Sequence, residues 1–460
     1  MKRINFRNIG ILLTIVVLLN SCEKWIDPEI NVSPNDPADV SLNLLLPASQ
    51  AGLAYAFGGD HSRYSGMWMQ HLSGVDRQSL ALERYSVLES DCNNLWNTLY
   101  AGILKNLVIM MDKAEESDAA YYGATAKILA AFSLGIITDV WGDAPYTDAL
   151  RGEGGNLTPT FDTQEQLYGI INAYLDEAIV TLGAPSPAGA LKPGNDDLFF
   201  KGDAAKWVKA AKALKVRYAL HLSKRNGFGP VRDLINAGGL MESNADNMSF
   251  LFTTNANEWN PRYQFDSDRG DIRVGARIVD LMNATGDPRI PVYFNKKDAE
   301  TYVGSAPGGA NLAAAWIGPG YASQNSPVPF ITYYEQKFME AEAFFGTDNG
   351  RAAAAYNDAV KASLASHGVS DETWEAANAA ETSGSITLDK IMTGKYIALF
   401  LHSETWVDWR RTGIPTLALP ASNVSDTPRR YLYTTDEINY NGANVPQGQT
   451  STTRLWWDVQ

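Results

Sequence analysis

The densest grouping of reactive side chains is His402-Ser403-Glu404-Thr405-Trp406-Val407-Asp408-Trp409-Arg410-Arg411, which holds an imidazole, two carboxylates and two guanidiniums within ten residues. On a helix Glu404 and Asp408, four apart, share a face with their β-carbons roughly 5–6 Å apart. A glycosidase carboxylate pair or a metal site could be built on that spacing. The same run also reads as an ion-paired helix end, with Arg410 and Arg411 offsetting the acids just before Gly413 and Pro415, where cations complement the helix dipole. The ion-paired helix end is the expectation. A second candidate, Asp266, Asp268 and Asp271 around Gly270, resembles a calcium loop only faintly. An EF-hand places glycine sixth and glutamate twelfth, whereas here glycine is fifth and Arg277 is twelfth. A solvated loop is expected there, with no metal.

Other enzyme signatures are missing: the chain has no Walker loop, no H-E-x-x-H, no G-x-S-x-G and no C-x-x-C. No catalytic residue, metal ligand or cofactor is assigned, and the chain is read as a non-enzyme. What remains is aromatic. Tyr64, Trp68, Trp259, Tyr263, Trp316 and Tyr321 fall in segments rich in Gly, Asn, Ser and Pro rather than on a helical stripe. Flat rings of this kind stack on sugar rings or apolar side chains while Tyr O–H and Trp N–H groups give direction. These six are the candidate ligand-binding residues, with Trp68 and Trp316 expected to be partly exposed on one platform.

The elements that must carry them are helical. Leu95, Trp96, Leu99, Tyr100, Ile103, Leu104, Leu107, Val108 and Met111 form a broad apolar face that Asp91 or Asn93 could cap. Residues 122–137, 164–182, 203–223, 334–345, 351–366 and 388–409 show the same periodicity. The segment 340–364 resembles a tetratricopeptide helix-turn-helix unit, and such pairs must stack to bury their faces, although no strict 34-residue period is present. Segments 56–86, 244–271 and 302–329 are expected to be long functional loops between the helical blocks.

The N-terminus is read as an export signal: Lys2, Arg3 and Arg7 precede an eleven-residue run from Ile9 to Leu19, followed by Asn20-Ser21-Cys22. That run is shorter than the roughly 20 residues a spanning helix needs, and no later stretch is expected to span a membrane. Residues 1–21 are assigned as a signal peptide. Cys22 looks like a bacterial lipobox cysteine, so it is the expected lipidation site. Residues 22–43, with Pro28, Pro34 and Pro37, read as a tether, and residues 44–460 as a single domain. The whole chain carries a net charge of −14, and loss of the three basic residues of the signal gives 35 basic against 52 acidic residues, or −17. Nucleic acid is a poor partner for that field. Cys92 would be the only thiol left, buried and without a disulfide partner.

Trp141-Gly142-Asp143-Ala144-Pro145-Tyr146 resembles the W-G-D-x-P-Y run of the SusD/RagB-type nutrient-binding lipoproteins of Bacteroidota. Asn31 to Pro37 is similar to their N-P-N-x-P segment, and Trp96 to Tyr100 to their W-x-x-x-Y helix. Asp203 to Trp207 with Leu214 to Arg217, Asp287-Pro288-Arg289, Trp406 to Gly413 and Trp456-Trp457-Asp458 resemble further family segments in the same order. Lys212 stands where the family has Asn, and Thr434 where it continues into Pro. The resemblance implies a mainly α fold, with tetratricopeptide-like helix pairs packed against a long-loop ligand-binding face. It also implies a lipid-anchored outer-membrane protein, facing the exterior, that binds nutrient oligomers and delivers them to a SusC-like TonB-dependent transporter. Glycan is the first expectation for the ligand and peptide the alternative.

Overall fold

A computed structural model describes residues 40–296 and 301–460. The signal segment, Cys22 and the tether up to residue 39 lie outside the described residues, as does any test of lipidation at Cys22.

The chain enters through α1 (Leu42–Ala56) and passes through a π-helical turn at Phe57–His61, kinked at Gly59, into α2 (Ser62–Trp68). A second interrupted helix follows: Asn93–Asn97 is α-helical, Thr98–Leu104 is π-helical, and α3 (Lys105–Glu116) resumes the α geometry. Neither Asp91 nor Asn93 caps it. Asp91 accepts from the Leu88 N–H at 2.9 Å, and Asn93 accepts from the Thr435 N–H at 3.0 Å.

The antiparallel helix series is α3, α4 (Ala120–Trp141), α5 (Gln164–Gly183) and α6 (Ala204–His221), and a further pair is α8 (Tyr333–Phe344) with α9 (Asn349–Ser366). Their starts are fixed by local chemistry. Thr163 and Gln166 form a reciprocal capping box at α5, Asp203 caps α6, Thr332 caps α8 and Asp348 caps α9. Against expectation, α4 is long and apolar enough to cross a membrane, with mean hydropathy 1.4 over its best window, but 89% of that window is buried among its neighbours. Its composition is that of a core helix, apolar all round because it is covered all round. Gly135 on α4 gives the Tyr218 hydroxyl of α6 the space that any side chain would fill.

The region expected to be one helix over 388–409 is two, α10 (Leu388–Ala398) and α11 (Glu404–Thr412), broken where Leu401 adopts φ of 60°. Between the helices run six short strands: β1 (Leu72–Gly74), β2 (Met248–Phe250), β3 (Ile272–Val274), β4 (Phe294–Asn295), β5 (Trp316–Ile317) and β6 (Val328–Ile331). They pair antiparallel as β1 with β3, β2 with β6 and β4 with β5. Two of the three expected loops therefore contain helix. Residues 56–86 hold α2 and another helical stretch, Arg77–Glu83, and residues 244–271 hold α7 (Pro261–Arg269). Residues 302–329 are irregular apart from β5 and the start of β6.

The aromatic motifs converge on one core. Trp68 lies 4.9 Å from Trp406 and 5.2 Å from Tyr431, Trp141 lies 5.5 Å from Tyr431, and Trp96 lies 5.0 Å from Trp141 between ring centroids. Their indole N–H groups are partnered: Trp141 donates to the Leu432 carbonyl and Trp406 to the Pro428 carbonyl. Near the C-terminus Trp457 donates to Asp139 and Asp458 holds Arg429 at 2.6 Å, which ties the end of the chain to α4 and the segment after α11.

Candidate functional site

The carboxylate-rich run lies in the interior. Glu404 accepts from His221 Nε2 at 2.8 Å, and the other ring nitrogen of His221 faces Asp139 at 3.1 Å and the Tyr168 hydroxyl at 3.0 Å. Arg217 pairs with Glu335 at 2.7 Å and lies 3.9 Å from Glu404. Asp408 sits between Lys395 at 2.8 Å and Arg411 at 2.6 Å, and Arg411 also holds Glu342. The expected pairing is thus correct for Asp408 with Arg411 and wrong for Glu404. Its partners come from α6, while Arg410 donates to the carbonyls of Asp139 and Arg429. Burial pushes the His221 imidazole down, but Glu404 and Asp139 outweigh it and raise its pKa to about 9, so His221 is a cation between two carboxylates. The neighbouring cavity, lined by His61, Glu404 and Arg410, measures only about 20 Å3. A carboxylate–imidazole–carboxylate arrangement with room for little more than a water is a structural ion network.

An open concavity lies elsewhere, along α7. A cleft of about 250 Å3 is bounded by Tyr55 and Ala56 at the end of α1, Gly59 and Asp60 of the π turn, Ser62 and Arg63 of α2, and Leu72 of β1. Asn94, Leu95 and Thr98 of the second interrupted helix, Pro261, Arg262, Phe265 and Asp266 of α7, Ile272 and Ile317 complete it. A wider opening of about 390 Å3 adjoins it and shares Asp60, Arg63, Asn94 and Phe265, adding Tyr64, Gln78, Asp91, Asp268 and Arg269. Both π-helical segments border the cleft, and π turns inside α-helices are frequent at functional sites.

The local sequence explains the first of them. A β-carbon at Gly58 would stand 2.5 Å from Val328 Cγ2, and Gly59 leaves helical geometry at φ −93°, ψ −112°, with Pro261 close against it. The glycine pair lets α7 and β6 approach. Asn260 caps α7 through the Arg262 N–H, and Pro261 occupies its first turn.

Arg63 stacks over Phe265 at 4.1 Å and is held by Asp60 at 2.7 Å. Arg262 is buried, donates to Ser62 Oγ at 2.9 and 3.1 Å and to the Leu401 carbonyl at 3.1 Å, and has no carboxylate partner among the described residues. Burial pushes its guanidinium down to about 10. The Nη1 atoms of both arginines are buried without a hydrogen-bond partner.

The six aromatic candidates divide into two groups. Trp259 and Tyr263 are half-buried at the N-terminal end of α7, their rings edge to face at 5.5 Å, and the Trp259 carbonyl accepts from the Tyr55 hydroxyl. Trp316 is half-buried near the other end of α7, with Arg273 over its ring at 3.6 Å and Gly270 beside it. None of these three is among the residues that line the cleft, although Trp316 precedes Ile317 and Tyr263 shares α7 with Phe265, which do. Trp68 is 0% exposed on α2, so the expectation of a partly exposed loop residue on the same platform as Trp316 is corrected. The helical pattern was hidden there by Gly, Ser and His residues. Tyr64 is 3% exposed on the same helix, though it borders the wider opening. Tyr321 is 4% exposed, packed 4.9 Å from Phe400 and 5.1 Å from Tyr293.

Sequence reasoning passed over Phe265, Tyr55, Arg63 and Arg262. The signal for two of them, Arg262 and Phe265, is present as Asn260-Pro261, a capping residue before proline at a helix start, but the Asp-rich remainder of α7 suggests a solvated loop. Asp266 is helical and Asp271 lies just before β3.

The SusD-like family model described as "Starch-binding associating with outer membrane" matches residues 34–434. The chain belongs to the SusD-like family. A solved structure titled chitin-binding protein is 26% identical, covers 91% of this chain and 100% of its own, and superposes with a TM-score of 0.77. A SusD/RagB family protein from Bacteroides thetaiotaomicron is 24% identical over 91% of this chain and 99% of its own, with a TM-score of 0.76. A chitin-binding SusD homolog from Flavobacterium johnsoniae is 22% identical over 91% and 97%, with a TM-score of 0.77. No curated protein matches the chain. The helix pairs seen here are therefore those of a SusD-like protein, and in it the Trp-Val-Asp-Trp-Arg-Arg run is packing.

Proposed function

We propose that this SusD-like chain is a non-catalytic cell-surface lipoprotein, lipidated at Cys22, whose residues 44–460 act as one domain that binds nutrient oligosaccharides. It then hands them to a SusC-like TonB-dependent transporter in the outer membrane. The observation that carries this reading is the cleft along α7, where Phe265 is half-buried in the lining of a concavity with polar groups at its rim, with Trp259, Tyr263 and Trp316 half-buried near the two ends of the same helix. Rings held partly exposed by a rigid scaffold suit the flat faces of sugars. The family's description as starch-binding and the chitin-binding title of the relative at 26% identity support a glycan over a peptide. The sealed ion network around Glu404 supports binding without cleavage.

The test is a glycan and peptide array probed with the full-length protein in detergent, followed by calorimetry on each hit. Oligosaccharide binding that weakens in Tyr263→Ala, with the oligosaccharide recovered intact, is the expected result. Binding of peptides alone, or cleavage of the bound glycan, would overturn the reading.

A further inference from the structure

We infer that the cleft along α7 is a subsite for the N-acyl group of an acetamido sugar within a bound oligosaccharide, an inference that rests on the glycan-binding reading above. Size is the first argument. At about 250 Å3 the cleft falls below the roughly 300–1,000 Å3 of sites that swallow a whole drug-sized ligand, so it accepts one residue or one substituent of an oligomer.

Its lining is the second. Ala56, Leu72, Leu95, Ile272 and Ile317 are all buried and give it an aliphatic floor. An unsubstituted sugar presents hydroxyl groups around its rim, and hydroxyls buried against such a floor lose their partners. A methyl group does not. The third argument is the state of the donors. Among the described residues Arg262, unlike Arg217, Arg289 and Arg411 but like Arg410, holds no carboxylate, only a hydroxyl and a carbonyl. Both cleft arginines, Arg63 and Arg262, keep one buried Nη1 without an acceptor among the described residues, and beside an open cleft such donors suit a group bringing its own oxygen.

That oxygen belongs to a neutral group. Asp60, held by Arg63, and Asp266 also line the cleft, so its two guanidiniums are already balanced by two carboxylates and a uronate or other carboxylate would add net repulsion there. A carbonyl oxygen supplies the missing acceptor without that repulsion, and an acetamido group joins such a carbonyl to a methyl.

Calorimetry with the full-length protein in detergent separates the possibilities by using two hexamers of the same β-1,4 linkage, one of N-acetylglucosamine and one of glucose. The acetylated hexamer is expected to bind roughly tenfold tighter or more. Thr98→Trp, an exposed rim position that leaves the core untouched, should abolish that preference by closing the mouth, and Ala56→Leu should reduce it by filling the floor. Thermal melts confirm that each variant is folded. Equal affinity for the two hexamers, or a preference that survives Thr98→Trp, overturns the inference while leaving glycan binding intact. Binding of other glycans but neither hexamer also overturns it. No glycan binding anywhere in the array removes the underlying reading as well.

Discussion

Replacing Glu404 with Gln removes one charge from a buried network while keeping its size. In the native chain Glu404 Oε2 takes the His221 Nε2–H at 2.8 Å, and His221 is 1% exposed. Breaking one partner out of a buried pair costs about 3–5 kcal/mol, because the other charge is left in the interior. The pH dependence gives a second, independent magnitude. The folded pKa of His221 is raised from 6.5 to about 9, so its stabilisation is fully present below pH 6.5 and is lost as pH rises through about 9. At about 1.4 kcal/mol per tenfold, that amounts to roughly 3 kcal/mol.

Glu83 overlaps this window, since burial raises its carboxyl from 4.5 to about 7 and its contribution is lost as pH rises through that range. The comparison must therefore be the difference between wild type and variant. Urea midpoints followed by tryptophan fluorescence at pH 6.5 and pH 9 are the assay. Wild type should lose stability across the interval, and Glu404→Gln should be less stable at pH 6.5 and flatter up to pH 9. Superimposable curves for the two proteins would refute the assignment of Glu404 and His221 to a structural pair.

Trp68→Ala should lower stability by about 3–5 kcal/mol, read from the same urea curves, since the indole is fully enclosed by Trp406 and Tyr431. Trp259→Ala and Tyr263→Ala should each weaken oligosaccharide binding by roughly two- to tenfold in calorimetry and lower the melting temperature far less than Trp68→Ala does. Asp408→Asn, which strips Lys395 and Arg411 of their shared partner, should destabilise the fold and leave ligand affinity unchanged in the protein that remains folded. Cys22→Ala should move the protein out of the outer-membrane fraction when cells lacking the transporter are fractionated, because the eleven-residue apolar run is too short to anchor it.

Much of the helical scaffold is readable from sequence because several long helices carry their own periodicity and their own cap, as Thr163 with Gln166 and Asp203 illustrate. The break between α10 and α11 was not, since apolar spacing runs on through Leu399 and Leu401 while the backbone turns at Leu401. The aromatic candidates divided for a related reason. Local composition places Trp68 among Gly, Ser and His and suggests a loop, yet the glycines serve close packing and the ring is covered by Trp406 and Tyr431, more than 330 residues away in sequence. Trp259, Tyr263 and Trp316 carried the same loop-like composition, and only the fold shows that they stand half-buried near the two ends of α7. That Arg262 lacks a carboxylate partner among the described residues has no sequence signal, because it is a property of what surrounds the side chain in space.

The most direct test of the account is a crystal structure of the protein with the oligosaccharide that binds it most tightly in the array. The account predicts sugar density along α7, with a ring against Trp259, Tyr263 or Phe265 and one substituent in the cleft between Ala56 and Ile317. Density confined to the helix-pair side of the molecule, with the cleft along α7 unchanged, would contradict it.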